Sequence, residues 1–244
     1  NTLSNSYISG DTGVDSVLIS GALIGSTIDF GSGDEQFTLT VDSTSSSILG
    51  GDGNDTLIFS STLTTSSVAG GSGNDLISFG AVVGLGNTID AGADSDTLIF
   101  SSTVSAAIIA GGDGNDSFSF GNTITNATLN AGAGNDTLSL AVNVTGAYLS
   151  MDAGSDLVVF ATSTTLTSSS VYGGAGADTL SFLGVVGAST IDAGADNDSL
   201  FFSSTVSAST ISGGAGNDSL NFSATVTASL VSLDLSLIHI SEPT

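Results

Sequence analysis

The 244-residue sequence contains no cysteine, tryptophan, lysine or arginine, and only one proline and one histidine. Without cysteine there is no disulfide framework and no thiolate chemistry. Without lysine or arginine nothing displaces counterions from nucleic-acid phosphates, so nucleic-acid binding is excluded. Electrostatic attachment to an anionic membrane is excluded for the same reason. No apolar run approaches the roughly 18 residues of a membrane-spanning helix. Catalysis is disfavoured too, because no basic side chain is available to stabilise an oxyanion or tune a carboxylate. What the sequence does have is 24 aspartates and glutamates, a formal charge of −24, alongside 40% hydrophobic residues. Disordered acidic chains lack that apolar content, and the length allows one or two domains with a real core.

The two ends read differently from the middle. The chain opens at Asn1 with neither methionine nor a signal-peptide pattern, as an internal piece of a longer protein would. Residues 235–244 (LSLIHISEPT) hold the only histidine, His239, and the only proline, Pro243. They resemble the translation of a sequencing-library adapter, which implies a non-native tail. The array proper is therefore assigned to residues 1–234.

That array is one motif copied end to end. Its clearest copies are 50–55 (GGDGND), 70–75 (GGSGND), 111–116 (GGDGND) and 213–218 (GGAGND). With the degenerate copies, the closing acidic residue falls at Asp15, Glu35, Asp55, Asp75, Asp96, Asp116, Asp136, Asp156, Asp178, Asp198 and Asp218. Neighbours are 20 residues apart, except 21 between Asp75 and Asp96 and 22 between Asp156 and Asp178. A fixed period of this length is a solenoid signature.

Within each copy the apolar residues alternate, which means strand. The second inward position after the acidic residue is phenylalanine in eight of the eleven copies: Phe59, Phe79, Phe100, Phe120, Phe160, Phe182, Phe202 and Phe222. Further apolar columns run through Leu63, Val83 and Val104, and through Ile48, Val68 and Ile89. Glycine, serine, threonine and β-branched residues disfavour helix throughout. The expected fold is all-β: a right-handed parallel β-roll, or β-solenoid, of about eleven coils of ~20 residues, each with two short strands. One turn of each coil is glycine-rich and acidic. The other is polar and uncharged.

Of the 24 acidic residues, all but Asp42, Asp234 and Glu242 lie in or beside the glycine-rich turns. Stacking the coils puts eleven carboxylates in one column at the ~4.8 Å spacing of neighbouring strands. Adjacent unit charges then repel by about 0.9 kcal/mol in water and ~3.5 kcal/mol at an effective dielectric of 20. No basic residue offsets this, so folding requires cations. Hard oxygen donors without cysteine or native histidine select Ca²⁺ over Zn²⁺ or Cu²⁺, while Mg²⁺ holds its own waters too firmly. About ten ions, one per gap between eleven turns, would bring −24 to about −4, an ordinary soluble charge. The glycines suit a turn that needs positive φ. Asp94 and Asp196 stand where Gly114 and Gly216 stand, and aspartate tolerates that region.

The pattern GGxGxDxLx over residues 10–222 resembles the nonapeptide repeat of RTX proteins, calcium-binding parallel β-rolls. The resemblance implies that the closing acidic residue and turn carbonyls of successive coils share each ion. This carries over to the ten closing aspartates, with Glu35 at the same position but one methylene longer. Asp156 follows Met151-Asp-Ala-Gly-Ser, which lacks the first two glycines, so a weaker site is expected there. The family repeats every nine residues and carries ion-binding turns on both edges. Here the alternate turn has lost the motif, so the ions are expected along one edge only.

The function expected on these grounds is a calcium-dependent structural repeat module of a secreted or cell-surface bacterial protein, of adhesin or surface-layer type, folding on Ca²⁺ after export. The alternative is the non-catalytic RTX repeat region of a secreted toxin, protease, lipase or epimerase whose catalytic domain lies elsewhere. Thr62, Thr103, Thr123, Thr205 and Thr225 share one register, as in ice-binding solenoids, but Val82 and Val185 break that row. Threonine also simply suits an exposed strand end. Uncapped coils at either end would expose strand edges, so end-to-end or edge association is expected. No surface ligand is specified by the residues.

Overall fold

The computed structural model describes residues 2–233 and 237–240, and the chain divides into two units, residues 1–122 and 123–244. Each unit is a parallel β-solenoid matching a right-handed roll, and the described residues contain no helix.

In the first unit, one sheet stacks Tyr7–Ser9, Thr27–Asp29, Ser47–Asp52, Ser67–Ser72, Thr88–Ala93 and Ile108–Asp113. The opposite sheet stacks Ser16–Ile19, Gln36–Leu39, Thr56–Phe59, Leu76–Phe79, Thr97–Phe100 and Ser117–Phe120. The second unit repeats the plan, from Thr128–Ala133 to Leu230–Ser232 on one side and from Thr137–Leu140 to Leu237–Ile240 on the other. Besides these two strands, most coils carry a third of two or three residues at the alternate edge, such as Leu63–Thr64 or Val206–Ser207. Within the segment set apart in the sequence, Leu237–Ile240 pairs in parallel with Ser219–Phe222, while 235, 236 and 241–244 lie outside the described residues.

Register is strictly repeat on repeat: Phe59 pairs with Phe79, Phe79 with Phe100, and Phe182 with Phe202. Equivalent side chains therefore stack, and the apolar columns become the core. Ile48, Leu57, Val68, Ile77, Leu98, Val171, Leu180 and Ile211 are all fully buried. The phenylalanine rings stack face to face, with centroids 4.9, 5.0 and 4.7 Å apart from Phe59 to Phe120. From Phe160 to Phe222 the separations are 5.0, 4.9 and 4.7 Å. Isolated rings favour offset or edge-on pairs. Here the strand spacing imposes the stack.

The two over-long coils keep this register. Val68 still pairs with Ile89 across the 21-residue coil, and Leu149 with Val171 across the 22-residue one. The extra residues bulge at the alternate edge, around exposed Leu85 and Gly86 (φ +77°) and in the turn at 162–163. The acidic turns remain in phase.

Candidate metal centre

Each acidic turn is positioned by the strand that runs into it and the strand that leaves it. Backbone crowding explains its glycines. A Cβ on Gly71 (φ +125°) would lie 1.9 Å from the carbonyl oxygen of Gly51 in the preceding coil. Asp94 and Asp196 take positive φ of 77° and 81°, as their place in the repeat requires. They relax from the wider angle of 137° seen at Gly114.

The closing residues turn inward. Glu35, Asp55, Asp75, Asp96 and Asp116 in the first unit, and Asp136, Asp156, Asp178, Asp198 and Asp218 in the second, are at most 3% exposed. Asp15, in the first coil, is half-buried. In the coils of Asp55, Asp75, Asp96, Asp116, Asp156, Asp178, Asp198 and Asp218, one carboxylate oxygen accepts the backbone N–H of the equivalent residue in the coil before. Asp55 N–H donates to Asp75 Oδ1 (2.8 Å), Asp75 N–H to Asp96 Oδ1 (2.7 Å) and Asp96 N–H to Asp116 Oδ1 (2.8 Å). In the second unit Asp136 donates to Asp156 (2.7 Å), Asp156 to Asp178 (2.8 Å) and Asp178 to Asp198 (2.8 Å).

The second oxygen is different. Oδ2 of Asp15, Asp55, Asp75, Asp96, Asp156, Asp178 and Asp198, and both oxygens of Glu35, are buried with no hydrogen-bond partner. Such a group costs several kcal/mol as a bare charge unless a cation or proton meets it. Burial accordingly raises the carboxyl pKa of Asp75, Asp96, Asp156 and Asp198 to about 7, and that of Asp178 to about 6. Glu35 is pushed up to about 7, first by burial and then by Asp55. Burial also raises Asp55 and Asp116.

The alternate edge provides an internal control. Nine residues before the closing acid, a column of serines makes the same inter-coil bond: Ser26 N–H donates to Ser46 Oγ (3.3 Å), and Ser46 N–H to Ser66 Oγ (3.3 Å). In the second unit Ser169 N–H donates to Ser189 Oγ and Ser189 N–H to Ser209 Oγ, both at 3.2 Å. Each hydroxyl then spends its own proton on a carbonyl two residues back, as Ser66 does on Thr64 (3.0 Å) and Ser209 on Ser207 (2.8 Å). The serine hydroxyls are satisfied on both sides, whereas the carboxylates of Asp15, Glu35, Asp55, Asp75, Asp96, Asp156, Asp178 and Asp198 keep a buried oxygen without a hydrogen bond. The serine column was readable in the sequence, at a constant nine residues before the acid, but serines in a polar turn carry no obvious sign of it.

The donor set fits a hard divalent ion. No three acidic side chains converge on one point among the described residues, so the oxygens nearest each inward carboxylate are those of the turn backbone. The position of a Cβ on Gly50 lies 2.3 Å from Asp55 Oδ2 and 2.5 Å from the Gly70 carbonyl oxygen. Bare glycine thus lets a carboxylate and a carbonyl of the next coil close in on the same backbone. At the equivalent position the coil of Glu35 has Phe30 and that of Asp156 has Met151, both buried. The two sites with atypical sequences are therefore also the two whose turn is filled by a large side chain.

Residues 39–61, 123–140, 168–184, 172–204 and 207–224 match the RTX calcium-binding nonapeptide repeat. The chain is an RTX-type β-roll. The roll is similar to the crystal structure of a hyperactive, Ca²⁺-dependent, β-helical antifreeze protein from an Antarctic bacterium, with a TM-score of 0.72 and 22% identity. That likeness covers 93% of this chain and 80% of the other. No curated protein matches the sequence. Repeats of this type bind calcium. No helix among the described residues is long and apolar enough to cross a membrane.

Proposed function

We propose that this roll is a non-catalytic, calcium-dependent structural module of a secreted or cell-surface bacterial protein of adhesin or surface-layer type. Its ions, about ten, would lie along the acidic edge, held by Asp15, Glu35, Asp55, Asp75, Asp96, Asp116, Asp136, Asp156, Asp178, Asp198 and Asp218 with turn carbonyls. The observation that carries the reading is the contrast between the two edges: hydroxyls that accept a backbone N–H and donate to a backbone carbonyl, and carboxylates that accept the same N–H but keep a buried oxygen without a partner. Bound calcium supplies the positive charge that lets those carboxylates stay ionised inside the roll. Extracellular calcium modules bind at about 10⁻⁴ to 10⁻³ M. A chain with that affinity stays open in a calcium-poor cytosol and folds after export, because the binding free energy is folding free energy.

Ice binding, the property named for the Antarctic neighbour, gains no support from the residues. The outward slot of the acidic turn holds Asp52, Ser72, Asp113, Ala133 and Ala215, and the threonine row of the alternate edge is interrupted. The deciding experiment is a circular dichroism titration of the full chain with Ca²⁺, with Mg²⁺ as control. A cooperative gain of β signal at sub-millimolar to millimolar Ca²⁺, weak with Mg²⁺, is expected. A fully formed β signal in excess chelator would overturn the reading.

A further inference from the structure

Phenylalanine and tyrosine are sorted to opposite sides of the strands. Eleven of the twelve phenylalanines are buried. The only three tyrosines, Tyr7, Tyr148 and Tyr172, all stand outward on the strand that runs into the acidic turn of their coil. In the second unit Tyr148, 46% exposed, and half-buried Tyr172 form a pair, with ring centroids 5.2 Å apart and planes tilted by 37°. Tyr148 is in register with Ser170, and Tyr172 with Ser150, so the rings meet on the diagonal between two coils. Thr128 borders Tyr148 on its other side, Asp192 borders Tyr172, and Asn130 lies beside Ser150. Ser150 in turn donates to Asp152, where the acidic turn begins. In the first unit Asp29 holds the place of the second ring, and the Tyr7 hydroxyl donates to it at 3.0 Å.

We propose that Tyr148 and Tyr172 form a binding platform for an uncharged saccharide chain. The roll itself does not require the rings, since neighbouring coils fill the same two outward positions with Thr128, Thr190 and Thr210, and with Ser150, Asp192 and Ser212. The surroundings select the ligand. A protein interface of ordinary size covers about 800 Å² per partner around an apolar centre. Here the other exposed large apolar side chains of the second unit lie elsewhere: Leu157 in the opposite sheet, Val185 at the alternate edge, and Leu230 four coils from Tyr148. What borders the rings is hydroxyl, carboxamide and carboxylate. A sugar matches that mixture, because its C–H face packs on an aromatic face while its hydroxyls bond to serine, threonine, asparagine and aspartate. Anionic ligands are repelled by Asp152 and Asp192, with no lysine or arginine anywhere to attract them. The strand spacing of ~4.8 Å is close to the advance of one unit along an extended pyranose chain, so successive sugars meet successive coils. The proposal deepens the adhesin reading by naming the class of surface ligand, and rests on it for its biological role.

Affinity electrophoresis of the full chain at saturating Ca²⁺ tests it, in gels holding a neutral β-glucan, a mannan or a galactan. Dextran sulfate serves as the anionic control and lysozyme as the basic-protein control. At least one neutral polysaccharide should retard the chain, and dextran sulfate should not. The same polysaccharide should change the tyrosine fluorescence, which no tryptophan masks. Tyr148→Thr and Tyr172→Ser, which install the residues of neighbouring coils, should each weaken binding about tenfold. Tyr7→Thr should leave it unchanged. Circular dichroism at saturating calcium should show all three variants folded, which separates loss of the platform from loss of structure. Retardation by none of the three neutral polysaccharides overturns the proposal, as does binding undiminished in both platform variants. Complex formation with lysozyme alone would make the patch a protein contact and also overturn it. Failure of the calcium reading looks different: a full β signal, with saccharide binding intact, in excess chelator.

Discussion

Replacing Asp75 with asparagine separates the two jobs of a closing carboxylate. Asparagine keeps an oxygen to accept the Asp55 N–H, now 2.8 Å from Asp75 Oδ1, but removes the buried charge. The expected outcome is a metal-free chain that resists urea better than the parent and a folding midpoint shifted several-fold to higher Ca²⁺. Elemental analysis should count at least one ion fewer per chain. Unchanged calcium binding would show that Asp75 is a plain corner residue. The glycines act through sterics: Gly71→Ala would bring a Cβ to 1.9 Å from Gly51 O at a φ of +125°. A loss of about 2 kcal/mol is expected in urea denaturation at saturating calcium. A change below ~0.5 kcal/mol would mean the turn relaxes, as it does at Asp152, which reaches the equivalent place with a φ of 68°.

Strands and columns set the next level. Phe100 lies between Phe79 and Phe120 with centroids 5.0 and 4.7 Å away, and is fully buried. Phe100→Ala opens a cavity that neighbouring rings, fixed by parallel register, cannot collapse into. About 3–5 kcal/mol should be lost in calcium-saturated urea unfolding, with little change in the number of ions bound. A lost ion instead would tie the ring column to the acidic edge. The strands and their register were legible because phenylalanine, leucine and the closing acid recur at a constant period. The third short strand at the alternate edge was not, since two-residue strands such as Leu63–Thr64 leave no alternation to read. The serine column is hidden in the sequence for a related reason: a hydroxyl reveals its bond only when the residue 20 positions on is known to stack on it.

For the molecule as a whole the controlling quantity is charge. Between pH 7 and 5, above the isoelectric point near 4.1, the folded chain binds protons that the unfolded chain does not. The reason is that burial holds Glu35, Asp75, Asp96, Asp156 and Asp198 at about 7, and Asp178 at about 6, against about 4 when unfolded. Stability falls with rising pH wherever the native state holds more protons. In chelator, therefore, acidification from pH 7 to 5 should raise the urea midpoint, and calcium should matter least at the acid end. A lower midpoint at pH 5 than at pH 7 would contradict the buried column.

The sequence alone determined the solenoid, its period, the inward phenylalanines and the acidic edge, because each follows from which residue type recurs every 20 positions. It also settled the cation class, since a chain with 24 acids and no lysine or arginine cannot neutralise itself. Only the tertiary structure decided which oxygen of each carboxylate is already used and which is orphaned. It likewise decided that the serines form a fastening of their own. Those are facts about partners in the neighbouring coil, and a hydrogen bond between residues 20 apart exists only once the coils are stacked.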